Sequence, residues 1–149
     1  MPAICVTESK YISPIVLNNN HSVYLPSAIV MAGITWLSLV KEVPAPLIGD
    51  IPLADKWGHM LAYLVFALCL AGDSYRVRVS PRVLYIVSLV LPVVYGGFME
   101  WMQLHCPPRS CELLDWVADC IGTLAGVGLF GIFHVIQIRR KANKDLYEL

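Results

Sequence analysis

Apolar positions gather into four long runs separated by short polar connections: Tyr24–Val40, Trp57–Ala71, Val83–Met99 and Cys120–Ile136. Each reaches or approaches the roughly 17–25 residues that a helix needs to cross about 30 Å of hydrocarbon. With their flanking turns, these runs predict helices at about 24–40, 57–75, 83–103 and 115–136. The second run is the weakest, because it contains His59 and meets Asp73 early. Extended to Tyr75 it becomes long enough, since a charge near a helix end can reach the interface. The expected fold class is all-α, an integral membrane bundle of four transmembrane helices.

The connections punctuate this pattern. Residues 41–52 read KEVPAPLIGDIP, turn-rich rather than helical, with Asp50 or Asp55 available to cap the next helix. Residues 73–82 are short and basic, and Pro81 suits the first turn of the third helix. Pro107 and Pro108 stop the third helix from continuing and place Arg109 on a constrained turn. Pro92 is expected to kink the third helix, and Gly96 and Gly97 to loosen it. In the fourth, Gly122-xxx-Gly126 lets another helix approach closely.

Composition agrees with a bilayer setting. The chain is 57% hydrophobic and 15% charged over 149 residues, with a mean hydropathy of +0.63. A soluble domain is about 45–50% apolar and about 25% charged, and one this small has little interior in which to hide the excess. A net charge of +0 argues against nucleic acid as a partner. Four crossings put both termini on one side. If that side is the cytoplasm, it holds Lys10, Arg76, Arg78, Arg82, Arg139, Arg140, Lys141 and Lys144, against Lys41, Lys56 and Arg109 outside. This is the asymmetry of the positive-inside rule, and it sets the orientation as N-in and C-in. The organisation expected is a cytoplasmic tail at 1–23, a four-helix domain at 24–138 and a basic cytoplasmic tail at 139–149. Residues 1–23 have no apolar core of signal-peptide length.

The polar residues inside this pattern fall together. Asp55, Lys56 and His59 open the second helix, Glu100 and Gln103 close the third, Arg109 follows, and Asp115 and Asp119 open the fourth. All belong to the outer face. Lys56, His59 and Tyr63 share one helical stripe, as do Glu100, Gln103 and Gly96, and likewise Asp115, Asp119, Gly122 and Gly126. If these faces meet, they build one pocket. Mutual pairing that holds helix ends together is the structural alternative, since a lone charge at the bilayer centre costs about 2.5–3.5 kcal/mol. Lys56 and Arg109 balance only some of the carboxylates. Spare carboxylates and a histidine suit acid–base work or a divalent cation, yet no metal-ligand motif is present and no metal or cofactor is assigned. Cys106 and Cys111 flank the Arg109 turn; a disulfide, zinc binding with His105 and two free thiols all stay open. Cys69 and Cys120 read as small buried apolar residues.

Three segments carry a resemblance: DKWGHMLAYLVF from Asp55, GGFMEWMQ ending at Gln103, and PPRSCELLDWVADCIGTLAG ending at Gly126. In this order they resemble the VanZ-like family of small bacterial membrane proteins, over about half of the chain. The family pattern D-K-x-x-H, E-x-x-Q, then R and D-x-x-x-N-x-x-G falls on Asp55, Lys56, His59, Glu100, Gln103, Arg109, Asp115 and Gly122. Asp119 stands where the family commonly has asparagine, exchanging a donor and acceptor for an acceptor that carries charge. The resemblance implies a multi-pass protein of the bacterial inner membrane and a link to low-level teicoplanin resistance.

Three functions follow. The first is binding of an envelope component (a lipid headgroup, a cell-wall precursor or a lipoglycopeptide) through Lys56, His59, Glu100, Gln103, Arg109, Asp115 and Asp119. The second is an enzyme on lipid-linked or phosphorylated envelope substrates, with His59 as acid or base oriented by Asp55 or Asp115; no G-x-S-x-G, H-E-x-x-H or phosphate loop accompanies it. The third is a homo-oligomeric scaffold joined through the glycine face of the fourth helix.

Overall fold

The computed structural model describes residues 24–39, 53–105 and 112–147. These form four helices: α1 (Leu25–Leu39), α2 (Ala54–Arg76), α3 (Pro81–Gln103) and α4 (Leu113–Tyr147). Among the described residues there is no strand, and the all-α expectation holds.

Local chemistry explains the boundaries. α3 begins where expected, with Pro81 in its first turn and the Ser80 hydroxyl accepting from the Val83 amide at 3.4 Å. Pro92 sits inside α3, which runs through it as one helix. α2 starts without a side-chain cap: Leu53, at φ 62°, occupies the N-cap, and Asp55 lies in the first turn. Asp55 therefore favours the positive end of the helix dipole instead of capping it, while Asp50 lies outside the described residues. The end of α2 closes as a Schellman motif, with Val79 N–H donating to Ser74 C=O at 3.3 Å and Arg78 N–H to Tyr75 C=O at 3.1 Å. Arg78 takes the left-handed position, φ 59°, where glycine is usual. α4 extends beyond its expected end at Ile136 to Tyr147, so Arg139, Arg140, Lys141 and Lys144 continue a helix.

α2 is the centre of the assembly. Its broadest contact is with α4, and α1 rests mainly on α2. Gly122 and Gly126 make the first of these possible: a Cβ on Gly122 would run into the Met60 carbonyl, and one on Gly126 would stand 2.5 Å from the Leu64 carbonyl oxygen. The glycine pair thus serves packing within the chain. An apolar cluster of Ile34, Tyr63, Phe66 and Leu70 joins α1 to α2. α1 is also tied at three heights. Asp73 accepts from the Ser27 amide at 3.2 Å, Tyr95 Oη donates to the Met31 carbonyl at 3.2 Å, and Gln103 Nε2 donates to the Ser38 carbonyl at 3.3 Å.

The Asp73 contact corrects an expectation. This carboxylate does not reach for the interface; it is 1% exposed, paired with Arg76 at 3.0 Å and bound to a first-turn amide of α1. That amide has no partner within its own helix, and Asp73 supplies one from α2.

α3 and the Leu113–Leu146 stretch of α4 are long and apolar enough to cross a membrane. Only 33% and 17% of their apolar windows are buried, unlike the core helices of a soluble domain. α1 is apolar but has 15 residues. α2 has 23, interrupted by Asp55, Lys56 and His59 near one end and Asp73 and Arg76 near the other. Large apolar side chains such as Trp36, Ile86, Val94, Leu124 and Phe133 face outward, while Ser27, Ser74, Ser88, Glu100, Asp115, Asp119 and Thr123 are buried.

Candidate functional site

The start of α2, the end of α3 and the start of α4 meet at one end of the bundle. Helical spacing dictates what each contributes: Lys56, His59 and Tyr63 lie on one side of α2, and Asp115 and Asp119, one turn apart, on the facing side of α4. Glu100 approaches from α3.

Lys56 stands at the mouth, ahead of the 57–75 apolar stretch. It forms ion pairs with Glu112 and Asp115, and a longer one with Asp55 at 3.5 Å. Partial burial works against its ammonium, but hydrogen bonds and charge from Asp115 and Glu112 outweigh that and hold its pKa above the ordinary lysine value. His59 lies deeper, with Nδ1 3.0 Å from Asp119 Oδ1 and Nε2 3.9 Å from Asp115 Oδ2. Asp119, rather than Asp55 or Asp115, is the carboxylate that holds the imidazole. Glu100 Oε2 accepts the Glu112 amide at 3.1 Å, which ties the end of α3 to the start of α4. Gly96 admits Asp119 and Tyr63 together: a Cβ there would stand 2.9 Å from Asp119 Oδ2 and 3.3 Å from Tyr63 Cε1.

The site has two levels. Asp55 and Glu112 form an exposed rim, with side chains 62% and 49% accessible. Beneath them Glu100, Asp115, Asp119 and Tyr63 are buried. Among the described residues, Asp55, Glu100, Glu112, Asp115 and Asp119 gather here with Lys56 and His59. Two groupings bring possible ligand atoms within 4.8 Å of one another: Asp55, His59 and Asp115, and His59, Glu100 and Asp119.

Of the residues expected at the site, Asp55, Lys56, His59, Glu100, Asp115 and Asp119 lie near one another at this end of the bundle. Gln103 is buried and turned toward α1, where it satisfies a carbonyl of the last helical turn. Arg109, Cys106 and Cys111 lie outside the described residues. Glu112 and Tyr63 join the site without having been assigned to it from the sequence. Their spacing carried the signal, Tyr63 one turn beyond His59 and Glu112 three residues before Asp115. Cys69 and Cys120 are both free and half-buried.

A second concavity, of about 470 Å³, opens where the α2–α3 turn meets α4, between Arg76, Arg78, Tyr85, Phe130 and His134. Compared with protein-family models, curated proteins and solved structures, the chain gives no match.

Proposed function

We propose that this chain is a VanZ-like multi-pass protein of the bacterial cytoplasmic membrane, with four crossings, N-in and C-in, whose outer end binds an envelope component. The observation that carries this reading is the placement of the polar groups. The bundle turns apolar side chains outward and gathers buried carboxylates around His59 at one end. Ionisable groups inside a membrane bundle mark ligand or ion sites by default.

Charge narrows the ligand class. Lys56 is already held by carboxylates, so a bare anion meets an acidic surface. A zwitterionic group fits better, with its ammonium against Asp55 and Glu112 and its phosphate or carboxylate toward Lys56 and Arg109. Ethanolamine phospholipid headgroups, cell-wall precursors and lipoglycopeptides such as teicoplanin carry such pairs of charges.

The test is native mass spectrometry of the purified protein beside Lys56→Ala and Arg109→Ala. An envelope adduct on the wild type that both variants lose is expected. No adduct on any of the three, with both variants unstable, would reduce the cluster to a clasp between helix ends. A second reading, an enzyme on lipid-linked or phosphorylated substrates, is favoured by the 3.0 Å Asp119–His59 contact, which orients an imidazole for proton transfer. In the same preparation, product formation that His59→Ala abolishes while the adduct persists would select it.

A further inference from the structure

The far end of the bundle carries a cavity that the rim does not use. About 470 Å³ opens where the α2–α3 turn meets α4, within the roughly 300–1,000 Å³ of a small-ligand pocket. Three rings make one wall. Tyr75 packs edge-on against Phe130 and His134, with ring centroids 6.1 and 5.1 Å apart, and Phe130 stacks on His134 at 6.1 Å. Pro81, Leu84 and Tyr85 line the cavity from α3. Arg76 and Arg78 supply the charge, and among the described residues that line it there is no carboxylate.

Both arginines suit an anion. Arg76 donates from Nη1 to the buried Asp73 carboxylate at 3.0 Å, which steadies the guanidinium while the side chain stays 63% accessible. A guanidinium has five N–H donors, so a bond to Asp73 is compatible with a second bond to a phosphate oxygen. Arg78 occupies the left-handed position of the Schellman turn, φ 59°, which glycine fills without strain. An arginine there sets a second guanidinium on the cavity wall, in a backbone conformation whose strain points to a use for the side chain. The surroundings narrow the ligand further. Lys56 and Arg76 are about 30 Å apart along α2, one hydrocarbon thickness. In the four-crossing arrangement proposed above, the cavity therefore stands at headgroup level on the inner face. Ile86 and Phe133, next in sequence to the lining residues Tyr85 and His134, are both 59% exposed and offer apolar surface to acyl chains. A small soluble phosphate would gain nothing from them.

We propose that this cavity binds the phosphate of an anionic phospholipid. Arg76 and Arg78 hold the phosphodiester, the rings of Tyr75, Phe130 and His134 border the glycerol, and the acyl chains run along α3 and α4. Basic pockets between membrane helices take anionic headgroups on the cytoplasmic side. The inner-face placement rests on the crossing arrangement proposed above, whereas the chemistry of the cavity is independent of the rim and its ligand.

The experiment uses the full chain in detergent, delipidated and mixed with dioleoylphosphatidylglycerol or dioleoylphosphatidylcholine. These share their acyl chains and differ in headgroup charge, and bound lipid is read by native mass spectrometry. The wild type is expected to retain phosphatidylglycerol at least about fivefold more than phosphatidylcholine, and excess glycerol 3-phosphate should not displace it. Arg78→Gly removes the guanidinium and relieves the backbone. It is expected to unfold at the wild-type temperature or above, yet to bind phosphatidylglycerol about fivefold less. Arg76→Gln is expected to lose binding likewise, and Lys56→Ala, at the rim, to bind as the wild type does. Equal retention of the two lipids by the wild type overturns the proposal, even if the variants fail to fold. Undiminished binding by Arg78→Gly and Arg76→Gln overturns it too, as does displacement by glycerol 3-phosphate, which would make the ligand a soluble phosphate. Loss in Lys56→Ala overturns it by moving the lipid to the rim. Phosphatidylglycerol kept by Lys56→Ala, with no envelope adduct at the rim, would uphold this site and sink the rim reading alone.

Discussion

Asp73 shows what a single carboxylate does when a helix end is delivered to it. It is buried, holds Arg76, and completes the first turn of a helix more than forty positions away in the chain. Asp73→Ala removes an acceptor and leaves the Ser27 amide unsatisfied in a poorly hydrated place. The expected loss is about 1–3 kcal/mol, read as a lower unfolding temperature in detergent, with Asp73→Asn retaining part of the difference. This role was not legible in the sequence. A charge near the end of an apolar run reads as an interfacial group, and nothing in the run shows that α1 starts beside it. The polar cluster of α2, α3 and α4 was legible because its members repeat every three or four positions on their own helices. Tyr63 carried the same spacing as His59, yet nothing in the sequence showed that its hydroxyl would be buried.

The helices themselves followed from the apolar runs, and so, within two residues, did the bounds of α1 and α3; the end of α4 did not. α4 outlasts its apolar stretch because Arg139, Arg140, Lys141 and Lys144 are good helix formers, so a basic segment that reads as a tail continues the helix to Tyr147. The α2–α3 turn closes on a residue type that local preference disfavours. Arg78 adopts a left-handed conformation that costs a non-glycine residue about 1–2 kcal/mol. Arg78→Val, β-branched at that position, should destabilise by a further 1 kcal/mol or so, whereas Arg78→Gly should leave stability equal or higher. Chemical unfolding of the two variants beside the wild type measures the difference. α2 fails as an uninterrupted apolar span for the reason that makes it central: its two ends carry polar groups used at both ends of the bundle.

For the molecule as a whole, labelling distinguishes four crossings from two. With four crossings, N-in and C-in, the start of α2 and the start of α4 lie on the same outer face. In a background lacking the native cysteines, Asp55→Cys and Glu112→Cys should then both react with an impermeant maleimide added to intact cells, and Ala142→Cys only after lysis. If only α3 and α4 cross, Asp55→Cys joins Ala142→Cys in being protected. The positive-inside count supports the first arrangement. All four helices turn large apolar side chains outward, and α3 and α4 are long and apolar enough to cross a membrane.

With four crossings, the bond from Ser27 to Asp73 would also order events during synthesis. A ribosome finishes α1 well before residue 73 leaves its exit tunnel, and 15 residues span only about 22 Å. In that arrangement, until α2 is nearly complete, the nascent Leu25–Leu39 helix would lack the Asp73 acceptor for an amide of its leading turn. In the four-crossing arrangement proposed above, α1 would therefore gain its place together with α2, the pair entering as one hairpin rather than one helix after the other.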